Sequence, residues 1–323
     1  MQAKKCNLCH NQVMRSPLRT RTVALLSTLL GIGAAFYFRD ELTWNVLVAR
    51  LLFHTHGFRH QHRRFAQNIR YGAGVRNRLD IYSPVKAEKN PVLVWVHGGS
   101  WNSGDKQLYV PLAARLVPNG IITVLVNYGL YPQVIHPQQA QDVATAIGWI
   151  LRNIHYFGGD PTQVFVCGHS AGAHLTALAL LDERYCSAQR FSPQDLAGWI
   201  GVSGPYYLPQ LLRFLREERN YNGAEVVAAM GGPRHLEETS PIRYVRPEMC
   251  NSLILHGEID RTVPVQSSYD MAQALRSVGV AVQEKYYPKT GHSEILLYGS
   301  GKKAHESGHL LHDMVKFIKP SEK

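Results

Sequence analysis

The sequence predicts an α/β fold in which a mostly parallel sheet is covered by helices on both faces. Three observations carry that expectation. Short, mostly apolar and β-branched runs recur at 92–96, 121–127, 164–167, 199–202 and 252–255, the pattern of strands buried on both sides, and 282–287 completes the strand series. Segments of helical composition alternate with them over about 240 residues, as crossover connections require. One run, Val164-Phe165-Val166-Cys167, ends in Gly168-His169-Ser170-Ala171-Gly172 and passes at once into an alanine- and leucine-rich stretch, so that strand, tight turn and helix follow without a linker.

Taken in order, residues 1–21 carry Lys4, Lys5, Arg15, Arg19 and Arg21 and no acid. Residues 22–38 are uncharged and mostly Leu, Ala, Gly, Ile and Phe, at the short end of what a bilayer-spanning helix needs. An uncleaved signal anchor is the favoured reading, because the run is too long for most signal-peptide cores and lacks a small-x-small exit. A mitochondrial presequence and an ordinary buried helix are the alternatives. The basic residues before the run place the N-terminus on the cytosolic side and the rest of the chain opposite. Residues 39–70 read as a basic, part-apolar helical linker suited to a headgroup layer. From Tyr71 the composition changes, and the catalytic domain is expected over 71–320.

Within it, 79–82 is an early strand, 138–154 a helix and 267–278 another, with a last helix near the C-terminus. Residues 205–247 break the alternation and are expected to form a small cap. The net charge of +11 belongs to the first 78 residues, which hold 13 Lys+Arg against Asp40 and Glu41, whereas the remaining 245 hold 22 of each sign. Basic residues flanking an apolar run suit an anionic membrane; no nucleic-acid face is expected, since that would want aromatic and basic residues interleaved.

The chemistry is read from residues 170, 260 and 292. A serine hydroxyl is a weak nucleophile until a base stands within hydrogen-bond reach and a carboxylate fixes that base's tautomer. Flanking glycines give Ser170 room in a tight turn, and the helix behind it points its positive end at any oxyanion formed there. Downstream, Leu255-His256-Gly257-Glu258-Ile259-Asp260 follows a strand and offers two acids; Asp260 is the choice and Glu258 the reserve. Lys289-Thr290-Gly291-His292-Ser293 follows the final strand and supplies the base, His292. Upstream, His97-Gly98-Gly99-Ser100-Trp101 ends a strand in a glycine loop, so an oxyanion would meet backbone N–H groups of Gly98 or Gly99 and of Ala171.

Other histidines are set aside. His174 shares a helix flank with Ser170 and reads as structural, His169 is locked inside the turn, and His97 braces the glycine loop. His305-Glu306-Ser307-Gly308-His309 spells a zinc-protease helix, yet no suitable third ligand follows and Gly308 weakens the helix, so it reads as a polar face. His54, His56, His60 and His62 do not share one helical face. Cys6-Asn7-Leu8-Cys9-His10 lacks the other half of a zinc site or a haem pocket, and five scattered cysteines make no disulfide framework. No metal or cofactor is expected.

With these motifs in place, residues 71–318 resemble the α/β-hydrolase carboxylesterases, and within them the isoprenylcysteine methylesterase-like group. The resemblance is carried by Tyr71-Gly72 with Arg76-Asn77-Arg78-Leu79-Asp80-Ile81-Tyr82, by His97-Gly98-Gly99-Ser100-Trp101, by Asn127-Tyr128 with Pro132-Gln133, by Gly158-Gly159-Asp160-Pro161 through Gly168-His169-Ser170-Ala171-Gly172-Ala173-His174, by Ser203-Gly204 with Tyr207-Leu208, and by His256-Gly257 through Pro264. One departure stands out: Gly129 follows Asn127-Tyr128 where many relatives carry Arg.

The resemblance implies an α/β-hydrolase fold and hydrolysis of the methyl ester of a prenylated C-terminal cysteine. It further implies a single-pass membrane protein, in the endoplasmic reticulum or Golgi, with the mitochondrion as the alternative. Kynurenine formamidases and feruloyl esterase-like enzymes share the same loops, so a formamidase or a general carboxylesterase on small soluble substrates is the runner-up. From another class comes a non-catalytic hydrolase-fold protein that binds lipidated partners. An apolar ester is expected under a cap containing Tyr206, Tyr207, Leu208, Leu211, Leu212 and Phe214, with packing inside the cap as the competing role for these six.

Overall fold

The computed structural model describes residues 65–86, 88–296 and 304–320. Its strands are β1 (Phe65–Arg70), β2 (Arg78–Tyr82), β3 (Asn90–Val96), β4 (Ile122–Val126), β5 (Gly159–His169), β6 (Gly198–Val202), β7 (Ser252–Gly257) and β8 (Val282–Tyr287). They form one sheet in the order β1-β2-β4-β3-β5-β6-β7-β8. β1 and β2 pair antiparallel, as do β2 and β4; every later pairing is parallel. The helices are α1 (Val110–Leu116), α2 (Gln138–Asn153), α3 (Ala171–Leu181), α4 (Glu183–Ala188), α5 (Leu208–Arg219), α6 (Ala224–Ala229), α7 (Gln266–Ser277) and α8 (Ala304–Ile318).

The continuous apolar run of β3 has a direct cause. Val92, Val94 and Val96 face a core shared with Ile147 of α2 and Leu175 of α3, while Leu93 and Trp95 face a second core with Leu112 of α1 and Leu310 and Met314 of α8. A strand covered on both sides has no wet face to make polar. Because the parallel strands run together, their C-terminal ends deliver the loops after β3, β5, β7 and β8 to one edge of the sheet. The glycine loop, Ser170, Asp260 and His292 therefore arrive at the same edge.

One expectation changes. The segment read as helix up to residue 70 contains β1, so the folded domain includes Phe65–Arg70. Alternating apolar residues would have revealed an ordinary strand, but this edge strand, Phe-Ala-Gln-Asn-Ile-Arg, is largely solvated and bulged. Asn68 has a positive φ of 54°, and its N–H bonds Asp80 Oδ1 at 2.7 Å. Lys106 then spans β1 and β2, donating to Asn68 Oδ1 at 3.0 Å and Asp80 Oδ2 at 2.8 Å.

At Gly129 the structure accounts for the missing side chain. Val134 fills the space a side chain would need there, and the buried carboxylate of Asp142 takes the Gly129 N–H and the Gln138 amide, each at 2.9 Å.

Between β6 and β7 the chain inserts α5 and α6. No helix among the described residues is long and apolar enough to cross a membrane. The 22–38 span, the 39–64 linker, Cys6, Cys9 and the four early histidines lie outside the described residues. So do the side chains of His305, Glu306 and His309, whose backbone is in α8.

Candidate active site

β5 stops at His169 and α3 starts at Ala171, which leaves Ser170 alone to turn the chain. It does so at φ 55° and ψ −123°, in the left-handed half of the map that costs a residue with a side chain of order 1 kcal/mol or more. The strain is held from both sides: the Ser170 N–H bonds Val202 O at 2.9 Å, and its carbonyl accepts from the His174 N–H at 3.1 Å. The flanking glycines are needed for close approach. A methyl on Gly172 would run into the Val96 carbonyl oxygen, and one on Gly168 into the Gly172 carbonyl oxygen.

His292 lies in the loop after β8. Its Nδ1 donates to Asp260 Oδ2 at 2.7 Å and its Nε2 stands 2.9 Å from Ser170 Oγ. A carboxylate cannot donate to Nδ1, so the proton must sit there and the Nε2 lone pair faces the hydroxyl. Asp260 Oδ1 accepts the N–H groups of Thr262 and Val263 at 2.8 and 2.9 Å. Burial alone would raise its pKa; His292 and His256 beside it outweigh that and hold the carboxyl well below the usual range, so it stays ionised. Ser170, Asp260 and His292 expose only 7, 7 and 8 % of their surfaces, which shields these interactions from water. In this arrangement His292 can take the Oγ proton as the oxygen attacks a carbonyl. Glu258, the reserve acid, is exposed, and the His292 Nδ1–H is taken by Asp260 instead.

The glycine loop lies against the nucleophile. A methyl on Gly98 would come within 2.9 Å of the His169 carbonyl oxygen and 3.0 Å of Ser170 Cβ, so the bare backbone of Gly98 borders the hydroxyl. Gly99, Ser100 and Trp101 follow with φ of 121°, 50° and 61°. The Ala171 N–H is in the first turn of α3 and has no acceptor within its own helix. Gly98 and Ala171 thus flank Ser170, and Gly99 follows next in the loop.

His97 braces this loop. Its Nδ1–H donates to the Gly98 carbonyl at 2.8 Å, and its ring stacks on Tyr128 with centroids 4.5 Å apart. Burial, chiefly, pushes its pKa down to about 4 and keeps it neutral.

Three relationships were not visible in the sequence. His169, read as locked in the turn, reaches back with Nε2 to donate to the His292 carbonyl at 3.1 Å, and the two rings sit 4.8 Å apart. Trp101 donates its indole N–H to His174 Nδ1 at 3.2 Å, and His174 Nε2 donates to Thr239 O at 2.7 Å. His174 is structural, and it also ties the glycine loop to the segment between β6 and β7. His256 is the third, lying 3.2 Å from Asp260 Oδ2. No local pattern announces such contacts; a buried His beside a glycine motif is the only signal they leave.

Five of the six cap residues expected against substrate pack into or against the core, and the sixth, Tyr207, is half-exposed. Tyr206, Leu208, Leu211 and Leu212 belong to the buried core, Phe214 is half-buried against it, and the Tyr207 hydroxyl donates to Glu237 at 2.7 Å. Among the described residues no group of three or more His, Cys, Asp or Glu side chains is set to hold a metal ion. Cys167, Cys186 and Cys250 are free and buried.

The sequence profile of the BD-FAE family matches residues 79–275, from β2 through nearly all of α7. The chain belongs to the BD-FAE family. Membership places it in the α/β-hydrolase esterase group. Among its relatives, the isoprenylcysteine alpha-carbonyl methylesterase ICME of Arabidopsis thaliana is 29% identical over 244 residues, which are 72% of this chain and 57% of that protein. Esterase LipQ of Mycobacterium tuberculosis is 35% identical over 244 residues, 68% of this chain and 55% of that protein. The chain therefore spans little more than half the length of these two relatives. Its fold is similar to that of the butyrate-bound esterase Est2 of Thermogutta terrifontis, with a TM-score of 0.64 at 20% identity over 81% of this chain and 98% of that one.

Proposed function

We propose that this BD-FAE member is a serine carboxylesterase whose nucleophile is Ser170, base His292 and orienting acid Asp260. The observation that carries the reading is the hydrogen-bonded run from Asp260 through His292 Nε2 to a strained, buried Ser170. Oγ adds to the ester carbonyl carbon while Nε2 takes its proton, and the carbonyl electron pair moves to oxygen. The oxyanion is held by N–H groups of Gly98 or Gly99 and Ala171, which need no reorganisation as charge develops. Collapse expels the alcohol, which takes the proton from His292, and leaves an acyl-serine. Water then adds by the same route, its proton passing to His292 and on to Ser170 Oγ as the acid departs.

As substrate we propose an apolar ester, the methyl ester of a prenylated C-terminal cysteine. The names of the Arabidopsis relative and its kin support that choice. So does the apolar run 22–38: as a single-pass anchor in an endoplasmic reticulum or Golgi membrane, it would hold the catalytic unit where prenyl chains reside. A second reading, a general carboxylesterase acting on small soluble esters, draws on the identity to LipQ.

Turnover of a farnesylcysteine methyl ester, N-formylkynurenine and a p-nitrophenyl ester, compared side by side, tests the substrate. The prenyl ester is expected to give the highest kcat/KM. Turnover of the formamide alone would refute the prenyl assignment, and turnover of none would favour a non-catalytic binding protein. Protease protection in microsomes tests the anchor: the catalytic domain is expected to be shielded until detergent is added.

A further inference from the structure

Resting on the esterase reading, we propose that His256 is a positioning residue of the reaction, acting on the base His292 through the Asp260 oxygen that both imidazoles share. His256 is on β7 and entirely buried. Its Nε2 faces two acceptors, Val263 O at 3.1 Å and Asp260 Oδ2 at 3.2 Å. Neither can supply a proton, so Nε2 carries one. Its Nδ1 lone pair then receives the Ser268 hydroxyl at 2.7 Å, from a side chain of α7 that is itself fully buried. The tautomer is fixed from both ends.

The consequence falls on Asp260. Oδ1 takes two backbone N–H groups, and Oδ2 takes His292 Nδ1–H with His256 Nε2 3.2 Å away, its single hydrogen shared with Val263 O. Three N–H groups bond the carboxylate and a fourth, shared one stands beside it, which together set its plane and its rotation. A carboxylate held only by its loop could swivel and lose the line to His292.

Sharing also divides the negative charge. An Oδ2 relieved of the second imidazole would bind the His292 proton more strongly and make the base harder to deprotonate. Other titratable groups face this cluster: His169 from the elbow, with its ring against His292, and Tyr286, which pairs with His256 across β8 and turns its hydroxyl to Glu284 at 2.8 Å. A histidine needed only for packing could have been satisfied by Val263 and Ser268. Its further contact is with the oxygen that holds the base.

Two amide variants of the full chain separate positioning from packing, because Gln presents its N–H₂ near the ε position and Asn near the δ position. Rates are taken per active site, titrated with a fluorophosphonate. His256→Asn is expected to lower kcat by about tenfold or more, leave KM within about twofold, and move the acid limb of kcat/KM to higher pH. His256→Gln is expected to keep kcat within about threefold and the limb in place.

An Asn variant with unaltered kcat and limb, or equal losses in both, overturns the proposal. Should neither fold, Ser268→Ala decides: it leaves Nε2–H but frees the ring, and should lower kcat by about threefold and shift the limb the same way. An unmoved limb there overturns the proposal too. Failure of the esterase reading looks different, since the unaltered chain would then neither take up the fluorophosphonate nor turn over any ester.

Discussion

Ser170 is held in a conformation that the isolated residue avoids, by the bonds of its N–H to Val202 and of its carbonyl to His174. That is why its role is testable by small changes. Ser170→Ala and His292→Ala are each expected to lower kcat on a p-nitrophenyl ester by about 10⁴-fold or more, leaving the residue of activity that an oxyanion site alone supplies. Asp260→Asn should cost about 10⁴-fold by admitting the wrong tautomer of His292, whereas Glu258→Gln, at an exposed position, should stay within about twofold. A large loss at Glu258 would overturn the assignment of the acid.

These three side chains were legible because each follows a strand at a glycine-marked loop, and the fold delivers such loops to one edge. The partners of the site were not. His169 reaches a carbonyl 123 residues away, and His256 meets Asp260 only because the loop after β7 folds back. Sequence spacing carries no trace of either.

At the scale of elements, the elbow and the glycine loop press on each other through bare backbone. Gly172→Ala would drive its methyl into the Val96 carbonyl at the end of β3, so the expected outcome is loss of soluble, cooperatively folding protein. Trp101 anchors a loop whose backbone is strained at Ser100 and at Trp101 itself, by its indole bond to His174 and by its carbonyl, which accepts the Tyr131 N–H and the Gln139 amide, each at 2.9 Å. Trp101→Phe strips the indole donor and leaves His174 Nδ1 unpaired in the interior, costing about 1–3 kcal/mol, and should reduce kcat more than it raises KM. Steady-state kinetics beside urea unfolding check both effects.

The interior strands could be read from the sequence because burial on two faces leaves an unbroken apolar run. β1 could not, since an edge strand lies half in water and owes its place to backbone pairing and the Lys106–Asp80–Asn68 bonds. Nor could the part played by Tyr206 to Phe214, because an apolar residue that lines a pocket and one that fills a core look alike in sequence.

Across the whole molecule, buried histidines make stability depend on pH. His169 and His174 are pushed down to about 3, and His97 and His136 to about 4, in each case chiefly by burial. An unfolded histidine takes a proton near pH 6.5, so between about 6.5 and 4 unfolding takes up about four protons, and acid favours the unfolded chain. Stability is therefore expected to be full above about pH 7 and to fall on acidification. Urea midpoints at pH 8, 7, 6 and 5 check this, and a flat series would contradict it. Lys106 and Asp80, both almost wholly buried, tie β1 and β2 to the chain just after the glycine loop. Lys106→Met strands a buried carboxylate and should cost about 3–5 kcal/mol in the same assay.

The account stands or falls on whether the buried hydroxyl of residue 170 is an activated nucleophile. Fluorophosphonate labelling of the folded chain, followed by peptide mapping, asks this directly. One adduct is expected, on Ser170, at a rate that collapses in His292→Ala while the fold persists. Absence of an adduct from folded protein, or labelling that proceeds unchanged without His292, would contradict it.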